Sequence, residues 1–151
     1  MAVKPIPDGY HTVTPYLTVG DAEAQIEFLK RAFGAEERYR HNDDKGRVRH
    51  AEVRVGDSMV MIGQAREPWT PRPAHFYLYV EDVDAVYKRA VAAGGKSLQE
   101  PTNQPYGDRG SGVEDSQGNS WWIGTHIEDV SPEEIERRYA QQAEAAAQTE
   151  K

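Results

Sequence analysis

A duplication constrains this chain more than any other feature. The run Tyr16-Leu17-Thr18-Val19-Gly20-Asp21 returns 61 positions later as Tyr77-Leu78-Tyr79-Val80-Glu81-Asp82. The same offset sets Ala24 on Ala85, Ala32 on Ala93, Gly34 on Gly95, Gly46 on Gly107, Ile62 on Ile123 and Gly63 on Gly124, with no gap in the comparison. Self-similarity at a fixed period marks one supersecondary unit present twice. At 151 residues the pair fits a single domain, large enough to bury roughly 70% of its unfolded surface.

Each copy follows the same grammar. Residues 13–19 alternate, with Val13, Pro15, Leu17 and Val19 on one side and Thr14, Tyr16 and Thr18 on the other, which predicts a half-buried strand. Asp21 then caps a helix through Ala24, Ile26, Phe28, Leu29, Ala32 and Phe33, and Gly34 stops it. Strands over 48–55 and 58–63 meet at a Gly56-Asp57 turn, a strong hairpin signal. In the second copy, residues 74–80 predict a strand, Asp82 caps a helix over 83–93 ended by Gly94-Gly95, and residues 119–125 form a last strand. The linker between copies, with Pro68, Pro71 and Pro73, is expected to be extended.

The duplicated part occupies 1–130, with module 1 at about 10–65 and module 2 at about 73–127; residues 131–151 lie outside it. Ser131-Pro132-Glu133-Glu134 opens a C-terminal helix by its cap residue, first-turn proline and early acids. Its apolar stripe is thin, chiefly Ile135 and Tyr139, so the tail beyond about Gln142 is expected to fray.

Charge and composition remove several function classes. The net charge is −7; residues 131–151 hold five acids against three bases, which leaves −5 on the body. A nucleic-acid binder needs basic residues clustered on one face, and this balance opposes that. The sign would suit a cationic ligand, although it also serves plain solubility. The chain has no cysteine, which removes disulfides and thiolate metal sites. Neither a signal-like start nor a run long enough to span a bilayer is present, so no membrane partner is expected and the cytoplasm is the expected location.

Several stretches carry a family resemblance: Gly9 to Leu17, His50-Ala51-Glu52 ahead of Gly56-Asp57, Tyr77 to Asp84, Tyr106-Gly107-Asp108-Arg109, Asp115 to Trp122, and Thr125-His126 followed by Glu128 to Pro132. With the duplication, they make the chain resemble the vicinal oxygen chelate superfamily, which includes glyoxalase I, extradiol dioxygenases and bleomycin- and fosfomycin-resistance proteins. It is most similar to the PhnB-like branch. The resemblance spans about residues 5–140. It implies an α+β fold of two βαβββ modules whose curved mixed sheets form a half-open barrel, helices outside and ligand inside, and it implies a homodimer. One fold of this kind hosts many activities, so chemistry must be argued from the site.

Metal-dependent members hold a divalent ion through His or Glu on the first and last strands of the modules. The resemblance places Thr14, Met61, His75 and Trp122 at those positions. Only His75 is a candidate metal ligand, because a Trp ring donates only N–H and a thioether ligates weakly, while such a site needs about three protein donors. A hydrogen-bonded structural histidine competes with that role. The usual metal-dependent chemistry is therefore disfavoured.

Alternation sends Ala51, Val53 and Val55 toward the helices and His50, Glu52 and Arg54 to the other face. The expected ligand-binding wall is Tyr16, His50, Glu52, Met61, His75, Tyr77 and Trp122, with Tyr79 beside it and Trp121 packed in the core. His50 and Glu52 are the candidate acid–base pair, against the plainer reading of two polar groups on an exposed sheet. Asp108 and Arg109 in a Gly-bounded loop read as a local ion pair and turn ahead of substrate binders, and His126 either caps the chain's exit from the sheet or serves a site.

Two functions fit. The favoured one is a metal-free protein that binds a small aromatic or cationic molecule. The alternative is a metal-dependent glyoxalase-type lyase or dioxygenase-like enzyme with an unusual ligand set such as His50, Glu52 and His75.

Overall fold

Local chemistry starts each helix where the repeat predicts it. In the computed structural model, which describes residues 2–150, the N–H of Ala24 donates to the Asp21 carboxylate at 3.0 Å and opens α1 (Ala22–Phe33). Gly34 closes α1 at φ 66°, a left-handed conformation that L side chains rarely adopt. Asp82 caps α2 (Val83–Ala92) in the same way, through the N–H of Ala85 at 3.1 Å.

The strands form two four-stranded mixed sheets. Sheet one takes β1 (Tyr16–Val19), β2 (Glu36–Asn42), β3 (Val48–Val55) and β4 (Ser58–Gln64) in the order β1-β4-β3-β2. Sheet two takes β5 (His75–Tyr79), β6 (Lys96–Asn103), β7 (Asp108–Glu114) and β8 (Ser120–His126) in the order β5-β8-β7-β6. In each sheet the first strand runs parallel to the last, and the other neighbours are antiparallel. This is the α+β architecture of two βαβββ modules.

The helices lie against one face of each sheet and against each other. Leu17, Val19, Ala51, Val53 and Ile62 bury against Ile26, Leu29 and Ala32 of α1, and Val113, Trp121 and Ile123 bury with Val83 and Ala90 of α2. The modules meet through Trp121, which stacks on Phe76 at 4.5 Å between ring centroids and packs against Phe33 at 5.4 Å. A buried polar cluster joins them as well. Gln25 of α1 donates to Asp115 at 2.9 Å and accepts from Asn119 at 2.9 Å, while the Trp121 indole donates to Asp115 at 2.8 Å.

The duplication departs from a constant offset. Leu17 pairs with Ile62 as Leu78 pairs with Ile123, keeping 61. Along β3 and β7, however, Ala51 faces Ile62 where Ser111 faces Ile123, which is an offset of 60. A β-bulge explains the slip: His41 faces His50 but Asn42 faces Val48, so Arg49 is an extra residue in β3, and β7 passes the same point without one. The β7–β8 turn restores the count, since Asp115 and Asn119 bond across three residues where Val55 and Ser58 face each other across two.

Two further expectations need correction. The first strand begins at Tyr16 rather than residue 13, and Val13 is exposed rather than packed. The linker is not simply extended, because the N–H of Arg66 bonds back to the carbonyl of Trp69 at 2.8 Å and folds the intervening residues into a turn. The C-terminal helix, α3 (Pro132–Thr149), has an alanine-rich end of strong helix propensity, and none of its residues is buried. No helix among the described residues is long and apolar enough to cross a membrane.

Candidate functional site

Each sheet keeps one face clear of the helices, and the expected ligand wall divides between these two open faces. Tyr16, His50, Glu52 and Met61 stand on sheet one; His75, Tyr77 and Trp122 stand on sheet two. Strand alternation correctly separates these side chains from the core, but within one chain it does not bring the seven together.

On sheet one, Tyr16 lies across the backbone of Gly63, so near that a β-carbon there would come 2.5 Å from the phenol oxygen. The hydroxyl sits 3.3 Å from His50 Nδ1. His50 Nε2 and Glu52 Oε1 are 3.9 Å apart, too far for a hydrogen bond, and the two residues line different clefts. Glu52 and Met61 line a cleft of about 480 Å³ under the N-terminal segment, which bears Ile6, Tyr10 and Thr14. Partial burial, then the hydrogen bond to Glu52, push the Tyr10 phenol up to about 12. His50 and Tyr16 line a neighbouring cleft of about 640 Å³ together with Arg49 and Trp69.

On sheet two, Tyr77 lies across Gly124 as Tyr16 lies across Gly63, and Trp122 covers Gly112. The Tyr77 and Tyr79 hydroxyls donate to the same oxygen of Asp108 at 2.8 and 2.9 Å. Asp108 is buried, and its other oxygen is 2.8 Å from His126 Nδ1, while His126 Nε2 is 2.8 Å from Asp129. Burial alone would raise the Asp108 carboxyl, but hydrogen bonds from His126, Tyr77 and Tyr79 outweigh it and hold the group below the usual carboxylate range. Burial and then Asp108 raise the Tyr77 phenol, so both partners keep the protonation states that the bond requires. The cluster fixes two tyrosine rings in place. Its carboxylate is buried and already bonded to three side chains, and its carboxyl is held below the usual range, which makes it a weak base toward a substrate.

Asp108 and Arg109 are therefore not the ion pair expected of them. Arg109 pairs with Asp84 at 2.9 Å, Asp108 opens β7, and His126, the last residue of β8, bridges Asp108 and Asp129 of the segment that leaves the sheet. A His three residues from an acid at a strand end carries little signal in a sequence, because only the β7–β8 register sets Asp108 opposite His126.

The residues present do not fit the family's divalent-metal site. Among the described residues no three His, Asp or Glu side chains group closely enough to hold an ion. His75 is exposed at the start of β5 on sheet two, while His50 and Glu52 stand on sheet one and point into separate clefts. Thr14, Met61 and Trp122 add no good donor.

Comparisons with known proteins agree with the fold. The Glyoxalase/Bleomycin resistance protein/Dioxygenase superfamily model matches residues 10–123. An uncharacterized protein of Mycobacterium tuberculosis is 31% identical over 143 residues, covering 87% of this chain and 84% of the relative. Among solved structures, TioX from Micromonospora sp. ML1 is similar with a TM-score of 0.68 and 28% identity, covering 78% of this chain and 99% of that one. A lactoylglutathione lyase from Agrobacterium tumefaciens shares the fold alone, at a TM-score of 0.58 and 22% identity over 81% of this chain and 96% of the lyase.

Proposed function

The chain belongs to the glyoxalase/bleomycin resistance protein/dioxygenase superfamily, and from that premise we propose that it is a small-molecule-binding protein, of the PhnB-like branch, that works without the family's metal site. The observation that carries this reading is the pair of open sheet faces. Each presents aromatic rings seated on glycine, with a few polar groups beside them, which is the composition of a pocket for a planar, partly apolar ligand. Tyr16, Tyr77 and Tyr79 are 55%, 43% and 67% exposed, an unusual display for a surface with no partner.

The same exposure supports a C2 homodimer. Sheet edges and half-walled clefts on one chain become a closed pocket when a second copy supplies the opposite wall. In that assembly His50 and Glu52 orient polar groups of the ligand, and Tyr77 and Trp122 stack on its plane. The ligand is a small molecule rather than nucleic acid, and the absence of cysteine suits a cytoplasmic location. Light scattering at micromolar concentration, followed by a thermal-shift screen of planar aromatic compounds, tests the reading. Two chains per particle and saturable stabilisation are expected. A monomer would remove the shared pocket, and a flat screen would remove the binding function.

A further inference from the structure

We infer that the sheet-one cleft is a site for an anionic group, and that its ligand is a small planar molecule carrying a carboxylate or phosphate. This deepens the small-molecule reading above and rests on it. It also replaces, for this cleft, the cationic ligand that the chain's overall charge suggested.

The cleft is lined by Tyr16, His41, Arg49, His50, Arg66 and Trp69, and no carboxylate lines it. Most neighbouring arginines are engaged: Arg40 pairs with Glu23 and Glu37, Arg47 with Asp43, and Arg54 with Glu36. Arg49 and Arg66 meet no carboxylate among the described residues, and both are exposed. A guanidinium presents a planar fork of donors that matches carboxylate and phosphate oxygens.

The backbone sets this arrangement. By simple alternation Arg49 would lie on the face opposite His50, in the core beside Ala51. The bulge at Arg49 breaks the alternation, so Val48 is buried while Arg49 and His50 line one cleft. Bulges of this kind re-aim side chains next to functional sites. The turn from Arg66 to Trp69 sets a second guanidinium beside an indole that is 64% exposed. The β6–β7 ladder has its irregularities elsewhere, between Ser97 and Thr102, so β7 has no bulge at the equivalent point.

Acids do stand nearby. Asp21, Glu23, Asp43 and Asp44 line an adjoining cleft that also touches Arg49 and Arg66. Asp21 caps α1, Glu23 holds Arg40 and Asp43 holds Arg47, which leaves Asp44 as the acid uncommitted among these. A chain of net charge −7 would repel a long polyanion, so a compact ligand fits better than nucleic acid. Trp69 and Tyr16 supply flat walls for its ring.

Equilibrium binding of four naphthalene probes tests the inference: naphthoate, naphthyl phosphate, naphthol and naphthylmethylammonium. Naphthoate or naphthyl phosphate should bind at least about tenfold tighter than naphthol, and their order identifies the favoured anion. Arg49→Gln combined with Arg66→Gln should erase that preference, and the paired Lys variants should restore part of it. Neither guanidinium holds a side-chain bond among the described residues, so the variants should keep the wild-type circular dichroism melt. Equal binding of all four probes, untouched by the Arg substitutions, would overturn the anionic site and leave the small-molecule reading standing. Tighter binding of the ammonium probe would overturn it as well. Failure of every probe to bind would overturn both.

Discussion

Tyr77 lies flat across Gly124, and its phenol reaches Asp108 only because that glycine has no side chain. Tyr16 uses Gly63 in the same way to reach His50. Both the tyrosine and the glycine are repeated 61 positions apart. The duplication thus preserves a seat for an aromatic ring on each open face and varies the group the hydroxyl meets, an imidazole in one module and a carboxylate in the other.

Gly124→Ala should dislodge the Tyr77 ring rather than unfold the sheet, because the ring is the mobile partner. The loss of a hydrogen bond to a charged acceptor sets the expected destabilisation at about 1–3 kcal/mol. A double-mutant cycle checks the cause. In a Tyr77→Ala background the same glycine substitution should be nearly neutral, and an undiminished loss there would show that the ring is not responsible.

What was legible in the sequence follows from which forces act locally. Caps at Asp21 and Asp82, the stop at Gly34 and the Gly56-Asp57 turn depend on a few adjacent residues, and the fold reproduces them. The edge strands β2 and β6 gave no strand pattern of their own, only the strand count the resemblance implied. Glu-Glu-Arg-Tyr-Arg-His-Asn and Lys-Ser-Leu-Gln-Glu-Pro-Thr-Asn are polar because an edge strand must discourage further pairing. Alternation put His50, Glu52, Tyr77 and Trp122 away from the core, but it cannot tell which sheet a face belongs to, so residues on two separate open faces read as one wall. Arg49 was missed for the opposite reason. It breaks alternation, and a bulge shows only in the pairing of two strands.

Trp122→Ala should weaken binding of a planar aromatic ligand by about 1–3 kcal/mol, the scale of losing a stacked anchor. His75→Ala should matter less, since His75 is exposed at the strand start and makes no side-chain bond among the described residues. Titration calorimetry with any hit from the aromatic screen compares the two. A larger loss at His75 would favour a ligand held by the imidazole instead.

The His126 imidazole should titrate above its ordinary value of 6.5, held up first by Asp129 and then by Asp108. A raised folded-state value makes the protonated form favour folding. That contribution is fully present below 6.5 and is lost as the pH rises through the raised midpoint. Proton NMR of the His126 ring should show the elevated midpoint, and Asp129→Asn should bring it down. A midpoint indifferent to Asp129 would remove the pairing from solution.

The contact most exposed to damage is the polar joint between the modules. One Asp115 oxygen accepts from the Gln25 amide and the Trp121 indole, and the other accepts the backbone N–H groups of Gln117 and Asn119. Asparagine has one acceptor oxygen and would aim its own N–H₂ at two of these four donors. Asp115 and Gln25 are buried, so the deserted donors would find no water. Asp115→Asn should therefore lower stability by about 2–4 kcal/mol, more than a typical surface change, although the volume is nearly the same. Urea denaturation measures the loss. If Asp115→Asn were neutral, the Asp115 joint would contribute little to holding the modules beside the Phe33, Phe76 and Trp121 packing.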